Sequence, residues 1–405
     1  MSIMAKTYQS GTCGVMGTAS TMACIAAALG MMPLRGASAP AVSSTRLRIA
    51  EETGGNAVAV ATAKRYPQDV LSRESFLNAI TVLQAIGGST NAVVHLMAII
   101  NRHPAVAGTI TLDTFDEIGR RTPLLIDLKP SGDNYMTDFH NAGGMLALMH
   151  TLKPLLHLNA MTITGKTLGQ VLEASPFRSF PFSTHVIRPM TNPLYPASSL
   201  VFLRGNLAPR GAVMKASASK DRHLLTHSGP AVVFNNTADL AHRIDDPDLK
   251  VTKDSVLILK GIGLIGNPGM PEAGVIPIPR KLGQAGVKDM LRMSDGRMSG
   301  TAGGTIVLHI SPESAIVDSV LGIVEDGDII SCDVEKRLLH LDVSDEEIKK
   351  RISAKKDAAT RNTDGACADD DPTQGRKRGY RALYERSVNQ AEQGADFDFL
   401  TAAGA

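Results

Sequence analysis

The sequence predicts an α/β protein of two domains, and three observations carry the prediction. Apolar residues recur at helical spacing through much of the first 180 residues. A stretch rich in proline and hydroxyl side chains, residues 178–198, then breaks that pattern. Beyond it come short β-rich runs punctuated by Gly, Pro and Asp, the texture of a barrel or a sandwich. A length of 405 residues suits two domains at roughly 100–200 residues each. The expected division is a helix-rich α/β domain over residues 1–185 and a β-rich domain with peripheral helices over residues 186–405.

The elements follow in order. Residues 15–31 read as a helix, with Met22, Ile25, Ala26 and Leu29 on one face and Gly30 as its stop. Ser43, Ser44 and Thr45 cap a helix over residues 43–53. Residues 68–86 form a longer amphipathic pattern that ends at Gly87-Gly88. Ser89-Thr90-Asn91 then caps the helix AVVHLMAIINR. A further helix runs from Phe139 to Leu156. The strand candidates are SLVFLRG, GAVMKAS, AVVFN, SVLILKG, TIVLHIS, IVEDGDIISCDV and RLLHLDV. A helix after VSDEEI, the loop GACADDDPTQGRKRG and the helix RALYERSVNQAEQ close the chain.

Composition excludes several classes. Lys+Arg and Asp+Glu nearly cancel, leaving +2, so no strong field draws nucleic acid or an anionic membrane. Trp is absent and aromatics are 4%, which leaves no base-stacking platform. No apolar run reaches the roughly 18 residues of a membrane span. The start is not a signal peptide. Cys13, Cys24, Cys332 and Cys367 form no CxxC pair, so the expected setting is a reducing cytoplasm. A Gly- and Cys-rich segment begins by residue 11, which suggests that the chain starts mid-domain.

Five motifs carry candidate chemistry. GIGLIGNPG contains GxGxxG at Gly261, Gly263 and Gly266 after a strand, but Pro268 and Pro271 follow and leave no room for a dinucleotide-binding helix. Its physical reading is a glycine-lined loop carrying one carboxylate, Glu272, able to ligate a hard cation; the plain alternative is a solvated surface Glu. GRMSGTAGGT, residues 296–305, surrounds Ser299 with glycines so that a small molecule can approach its hydroxyl. The spacing is GxxSG, so it is no nucleophile elbow, and a turn serine is the competing reading. GTCGVMGTASTMA sets Cys13 at an expected helix start, where thiolate is favoured, or else as a small buried thiol. GGSTN, with Ser89 and Thr90, offers N–H groups to an anion. LKPSGDNYMTDFHNAGG brings Asp138 and His140 close together; a cap and a polar loop are the alternatives.

Taken in order, these segments and PLRGASAPAVSS, RGNLAPRGAVMK, SDGRMSGTAGGTIVLHISPESA and QAEQGADFDFL resemble the dihydroxy-acid and sugar-acid dehydratase family along nearly the whole chain. The GTCGVMGTASTM and RMSGTAGGT variants resemble its sugar-acid branch, the pentonate and hexonate dehydratases. The resemblance implies a β-barrel-like second domain and removal of water from a 2,3-dihydroxy carboxylate to give a 2-keto-3-deoxy acid. It implies an iron–sulfur cluster, 2Fe-2S in preference to 4Fe-4S, as Lewis acid on the departing hydroxyl. It also implies Mg2+ on the substrate carboxylate and a serine base. By motif, Cys13 matches a cluster ligand, Glu272 a magnesium ligand, Ser299 the base and Thr301 a substrate-contacting hydroxyl. Asp138, His140, Ser89 and Thr90 are the substrate-pocket candidates. The implied partners are a small-molecule sugar acid and further copies of the chain, as a dimer or tetramer. The family also has a segment before GTCG that supplies the other cluster cysteines and magnesium ligands, and this chain is expected to lack it. A non-catalytic remnant, or an oligomerisation partner of a full-length dehydratase, is the rival expectation.

Overall fold

The computed structural model describes residues 13–364 and 379–402, with side chains of residues 359–364 left aside. Cys367 and most of the GACADDDPTQGRKRG loop lie outside the described residues. The helices, in chain order, are α1 Thr18–Ala28, α2 Ser44–Thr62, α3 Pro67–Val70, α4 Arg73–Ala85, α5 Asn91–Arg102, α6 Leu112–Arg121, α7 Met136–Asn141, α8 Gly144–Leu152, α9 Leu168–Ala174, α10 Pro181–Val186, α11 Thr237–Arg243, α12 Arg280–Gln284, α13 Asp345–Asp364 and α14 Gly379–Ser387. The strands are β1 Val201–Gly205, β2 Ala208–Met214, β3 Thr226–Phe234, β4 Val256–Leu259, β5 Arg292–Ser294, β6 Ile306–Ser311, β7 Ile329–Asp333 and β8 Leu338–Leu341. Among the described residues no helix is long and apolar enough to cross a membrane.

The chain forms two compact units. Unit 1 holds the described residues up to Ala92, then His103–Leu200 and Ser299–Thr301; unit 2 holds Val93–Arg102, Val201–Met298 and the residues from Ala302 onward.

Unit 1 is built around α4, buried from Ser75 to Ala85. The 68–86 pattern divides because Ser72 caps α4: its hydroxyl accepts the Ser75 N–H and the Ser75 hydroxyl accepts the Ser72 N–H. A wholly buried helix must satisfy its polar side chains. Asn78 does so with the His157 backbone, donating to its carbonyl at 3.0 Å and accepting its N–H at 2.7 Å. Gln84 does the same with Leu200, at 3.1 and 3.0 Å. The helix expected over residues 43–53 runs on to Thr62, through Gly54 and Gly55, both in open space.

Unit 2 is a closed barrel in the order β1-β2-β6-β5-β4-β3-β7-β8. The β3–β4, β4–β5, β5–β6 and β1–β8 pairs are parallel, and the β1–β2, β2–β6, β3–β7 and β7–β8 pairs are antiparallel. Alternate side chains fill the interior: Val201 and Leu203, Ala231 and Val233, Val256 and Ile258, Leu291 and Met293, Ile330 and Cys332, Leu339 and Leu341. The lumen is therefore a packed core. Outside it, Val232, Phe234, Leu257 and Leu259 pack against Leu240 of α11 and Ile244 just beyond its end, which is why β4 is apolar on both faces. Strand β5 is absent from the sequence reading: its three residues, Arg292-Met293-Ser294, are too few for a pattern.

One interior spacing breaks the alternation. On β6 the inward residues are Val307 and Ile310, three apart, and the β2–β6 register shifts between Gly211 and Val213. This is a β-bulge at His309, whose φ is +55°. Its N–H leaves the ladder and donates to the Gly296 carbonyl at 3.1 Å. The bulge thus pins the start of the loop that carries Ser299.

Candidate active site

In unit 1 three of the singled-out motifs meet. At the end of α4, Gly87 takes a left-handed φ of +55° and the Gly88 N–H returns to the Leu83 carbonyl at 3.0 Å. A Cβ on Gly88 would fall 2.6 Å from Leu83 Cδ1 and 2.8 Å from Thr21 Cγ2, so only glycine fits. Ser89, fully buried, is thereby set against α1. Its N–H donates to Thr21 Oγ1 at 3.0 Å, its hydroxyl shares a hydrogen bond with Thr18 Oγ1 at 2.9 Å, and that hydroxyl accepts the Asn91 N–H at 3.2 Å. Asn91 Nδ2 also donates to Thr18 Oγ1, at 3.0 Å. The N–H groups of Ser89 and Asn91, offered to an anion by the sequence reading, are thus taken up within the protein. Thr90 is buried beside them.

The Ser299 loop closes on this group. A Cβ on Gly300 would lie 2.6 Å from both Cβ and Oγ of Ser89, and one on Gly17 would lie 3.0 Å from Thr301 Cγ2. Glycine at both positions lets the RMSGT, GGSTN and GTAST segments come together. The Ser299 and Thr301 hydroxyls share a hydrogen bond of 3.0 Å. Ser299 is half-buried and Thr301 exposed. Thr301 is the hydrogen-bond partner that holds the Ser299 hydroxyl among the described residues, which bring no imidazole or carboxylate to it.

The other unit 1 candidates sit elsewhere. Helix α1 begins at Thr18, so Cys13 is not at its N-terminus: Gly14 and Gly17 bend the chain, and the Met16 N–H goes to the Lys129 carbonyl at 3.0 Å. Cys13 is exposed, and the Met136 N–H donates to the Gly14 carbonyl at 2.8 Å, tying the GTCG segment to α7. Asp138 accepts the Tyr135 N–H at 2.9 Å as the α7 cap. His140 Nδ1 lies 3.3 Å from Ser38 Oγ, and burial, then the Arg46 charge, hold its pKa below the usual imidazole value. A cavity of about 350 Å³, whose lining includes Ala19, Ala23, Met32, Arg46 and Met136, touches none of the predicted site residues.

Glu272 belongs to unit 2, and its side chain is exposed. Its loop is held in three ways. Met270 packs with Leu264 and with Val94 of α5; Arg297 Nε donates to the Met270 carbonyl at 2.5 Å; and the Gly274 N–H donates to the Arg297 carbonyl at 2.8 Å. Seating α5 on this loop brings His95 into the fields of both Arg297 and Glu272. Burial and Arg297 lower the His95 pKa, with Glu272 opposing.

The GxGxxG loop proves to be a cradle for the protein's own acids. Glu313 accepts the N–H groups of Ile265 and Gly266 at 2.9 and 3.0 Å, and Gln390 Nε2 donates to it at 2.9 Å. Asp295 accepts the Ile262 N–H at 3.2 Å, and the Gly261 N–H donates to the Ser314 hydroxyl at 2.8 Å. The donors that would hold a pyrophosphate are engaged, and the next helix begins only at Arg280. The dinucleotide reading has no site here.

The metal ligands implied by resemblance can be tested against these residues. Among the described residues no group of three His, Cys, Asp or Glu side chains is placed to hold a metal ion. Burial pushes the Cys24 and Cys332 thiols up to about 12, so neither offers a thiolate. The described residues alone do not make a complete iron–sulfur or magnesium site. Three side chains in this region escaped the sequence reading: His95, Arg297 and His309. The one available signal was a lone polar residue inside an apolar run, AVVHLM for His95 and TIVLHI for His309.

The fold and the motifs together define a class. The N-terminal model of the dihydroxy-acid/6-phosphogluconate dehydratases matches residues 2–171 and the C-terminal model matches residues 185–395; the chain belongs to that family. Among its relatives, the 6-deoxy-6-sulfo-D-gluconate dehydratase of Pseudomonas putida is 42% identical over 99% of this chain and 66% of its own length. The L-arabinonate dehydratase of Rhizobium leguminosarum bv. trifolii is 42% identical over 96% of this chain and 64% of its own. The dihydroxy-acid dehydratase of Sulfurisphaera tokodaii is 40% identical over 84% and 59%. The chain thus spans between 59% and 66% of the length of these relatives.

Proposed function

We propose that this chain is a hydro-lyase that dehydrates a sugar acid, a 2,3-dihydroxy carboxylate such as an aldonate, to a 2-keto-3-deoxy acid. The observation that supports it most is the meeting of Ser299 and Thr301 with Ser89 and the start of α1, on a scaffold whose relatives include sugar-acid dehydratases. In this reading Ser299 takes the proton from C2 and Thr301 orients its hydroxyl. Ser89, Thr90, Asp138 and His140 are candidate contacts to the substrate. The carbon-bound hydroxyl leaves from C3, and the resulting enol becomes the keto acid. Cys13 and Glu272, both exposed, are candidates for one ligand position each to an iron–sulfur cluster and to magnesium. The remaining ligands are not among the described residues, so no step is derived through either group.

Supplying L-arabonate and D-gluconate to the purified chain, with iron, acid-labile sulfide and magnesium assayed on the same sample, tests the reading. A 2-keto acid from either aldonate supports it. Its absence from both, in a sample without iron, favours a second reading: a non-catalytic partner of a longer dehydratase. That reading draws on the incomplete ligand set and the partial length.

A further inference from the structure

Thr18 opens α1 beside the Ser299 loop. A Cβ on its neighbour Gly17 would lie 3.0 Å from Thr301 Cγ2. The Thr18 hydroxyl lies 2.9 Å from that of Ser89, against which Gly300 packs. All of these residues belong to unit 1. A hydroxyl donates once and accepts twice. Ser89 is fully buried and already accepts the Asn91 N–H at 3.2 Å. Its own hydrogen must go to an acceptor, and Thr18 Oγ1 is the one within reach among the described residues. Thr18 Oγ1 also accepts from the Asn91 side-chain amide at 3.0 Å. Both acceptor positions of Thr18 are therefore filled, and its hydrogen is left to give.

Other helical threonines give that hydrogen to the carbonyl four residues back: Thr21 to Gly17 at 2.7 Å, Thr81 to Leu77 and Thr151 to Ala147 at 2.9 Å. Thr18, in the first turn, makes no such bond among the described residues, and it is partly exposed where Ser89 is not.

We propose that Thr18 is a further substrate-binding residue, donating a hydrogen bond to a carboxylate or hydroxyl oxygen of the sugar acid. The inference rests on the sugar-acid reading and deepens it. With its acceptor positions filled, the hydroxyl suits an oxygen that accepts and not an ammonium, which only donates. Asn91 holds it twice, directly through its side chain and through its backbone N–H on Ser89. Ser89, whose hydroxyl is engaged on both sides, supports the donor from behind. The branched side chain has few χ1 rotamers, so little freedom is lost when a ligand binds.

The test is ligand-observed NMR on the full chain, supplied with magnesium, with L-arabonate as the probe. Thr18→Val keeps the shape and removes the donor, and is expected to weaken L-arabonate about tenfold. Thr18→Ser keeps the hydroxyl and is expected to retain most of the affinity. If Thr18→Val does not fold by circular dichroism, Thr18→Ala, which leaves room for a water to meet Asn91 and Ser89, carries the test. A folded Thr18→Val or Thr18→Ala that binds as the wild type does would overturn the proposal and leave the sugar-acid reading standing. So would a loss as large in Thr18→Ser, which would make the residue structural alone. A wild type that binds no L-arabonate would overturn that reading, and the proposal with it.

Discussion

Ser299 shows how little of a site one residue carries. Its hydroxyl is placed by neighbours with no chemistry of their own, Gly300 against Ser89 and Gly17 against Thr301. Gly300→Ala sets a methyl 2.6 Å from the Ser89 side chain and is expected to destabilise by about 1–3 kcal/mol, as overpacking does, read by thermal denaturation. Lys215 makes the opposite case. Its ammonium group is buried with no hydrogen-bond partner among the described residues, and burial pushes its pKa down to about 7. The unfolded group titrates near 10.4, so between about pH 7 and pH 10 the unfolded chain binds the extra proton. Stability is therefore expected to rise with pH across that window and to be lost as pH falls through it. Lys215→Met removes that slope and gains about 1–3 kcal/mol at pH 7, measurable by urea titration at several pH values. Of the residues read from sequence, Ser299, Thr301 and Ser89 come together, whereas Asp138 serves as a helix cap and Cys13 precedes α1 by a bent segment. The sequence could not distinguish these cases, because capping and ligand binding use the same side chains.

At the scale of elements, legibility followed pattern length. Helices with several turns of periodic apolar residues were readable, as were the strands of the barrel other than β5. The errors fell where local signals competed. The helix expected over residues 43–53 stops short of the Gly54-Gly55 pair, yet α2 continues through it, with both positions facing solvent. Gly54→Ala and Gly55→Ala are each expected to stabilise by about 1 kcal/mol, checked by thermal melts. Ser72 was passed over as a break because its capping box lies inside an amphipathic run. The GxGxxG loop is a case in which the motif was legible but its partner was not: Glu313 lies some fifty residues on. Glu313→Ala should orphan the Ile265 and Gly266 N–H groups and lose about 1–3 kcal/mol for each. A titration of the wild type with NADH and NADPH is expected to show no saturable binding.

For the molecule as a whole, long-range pairing set the limit of the sequence reading. Short β-rich runs allowed a barrel or a sandwich, and only the register of all eight strands decides for the closed barrel. The bulge at His309 is invisible in the residue pattern, since one extra residue in an apolar strand leaves composition unchanged. The assignment of Ser299–Thr301 to unit 1, while Met298 and Ala302 belong to unit 2, likewise follows from packing alone. The central claim is that Ser299 acts as the base in a sugar-acid dehydration. It is tested most directly by the rate at which the purified full chain turns L-arabonate into a 2-keto-3-deoxy acid, beside Ser299→Ala of matched stability. The account predicts product from the wild type and a loss of at least about 100-fold in the variant, the least expected when a general base is removed. Equal rates in the two proteins would contradict it.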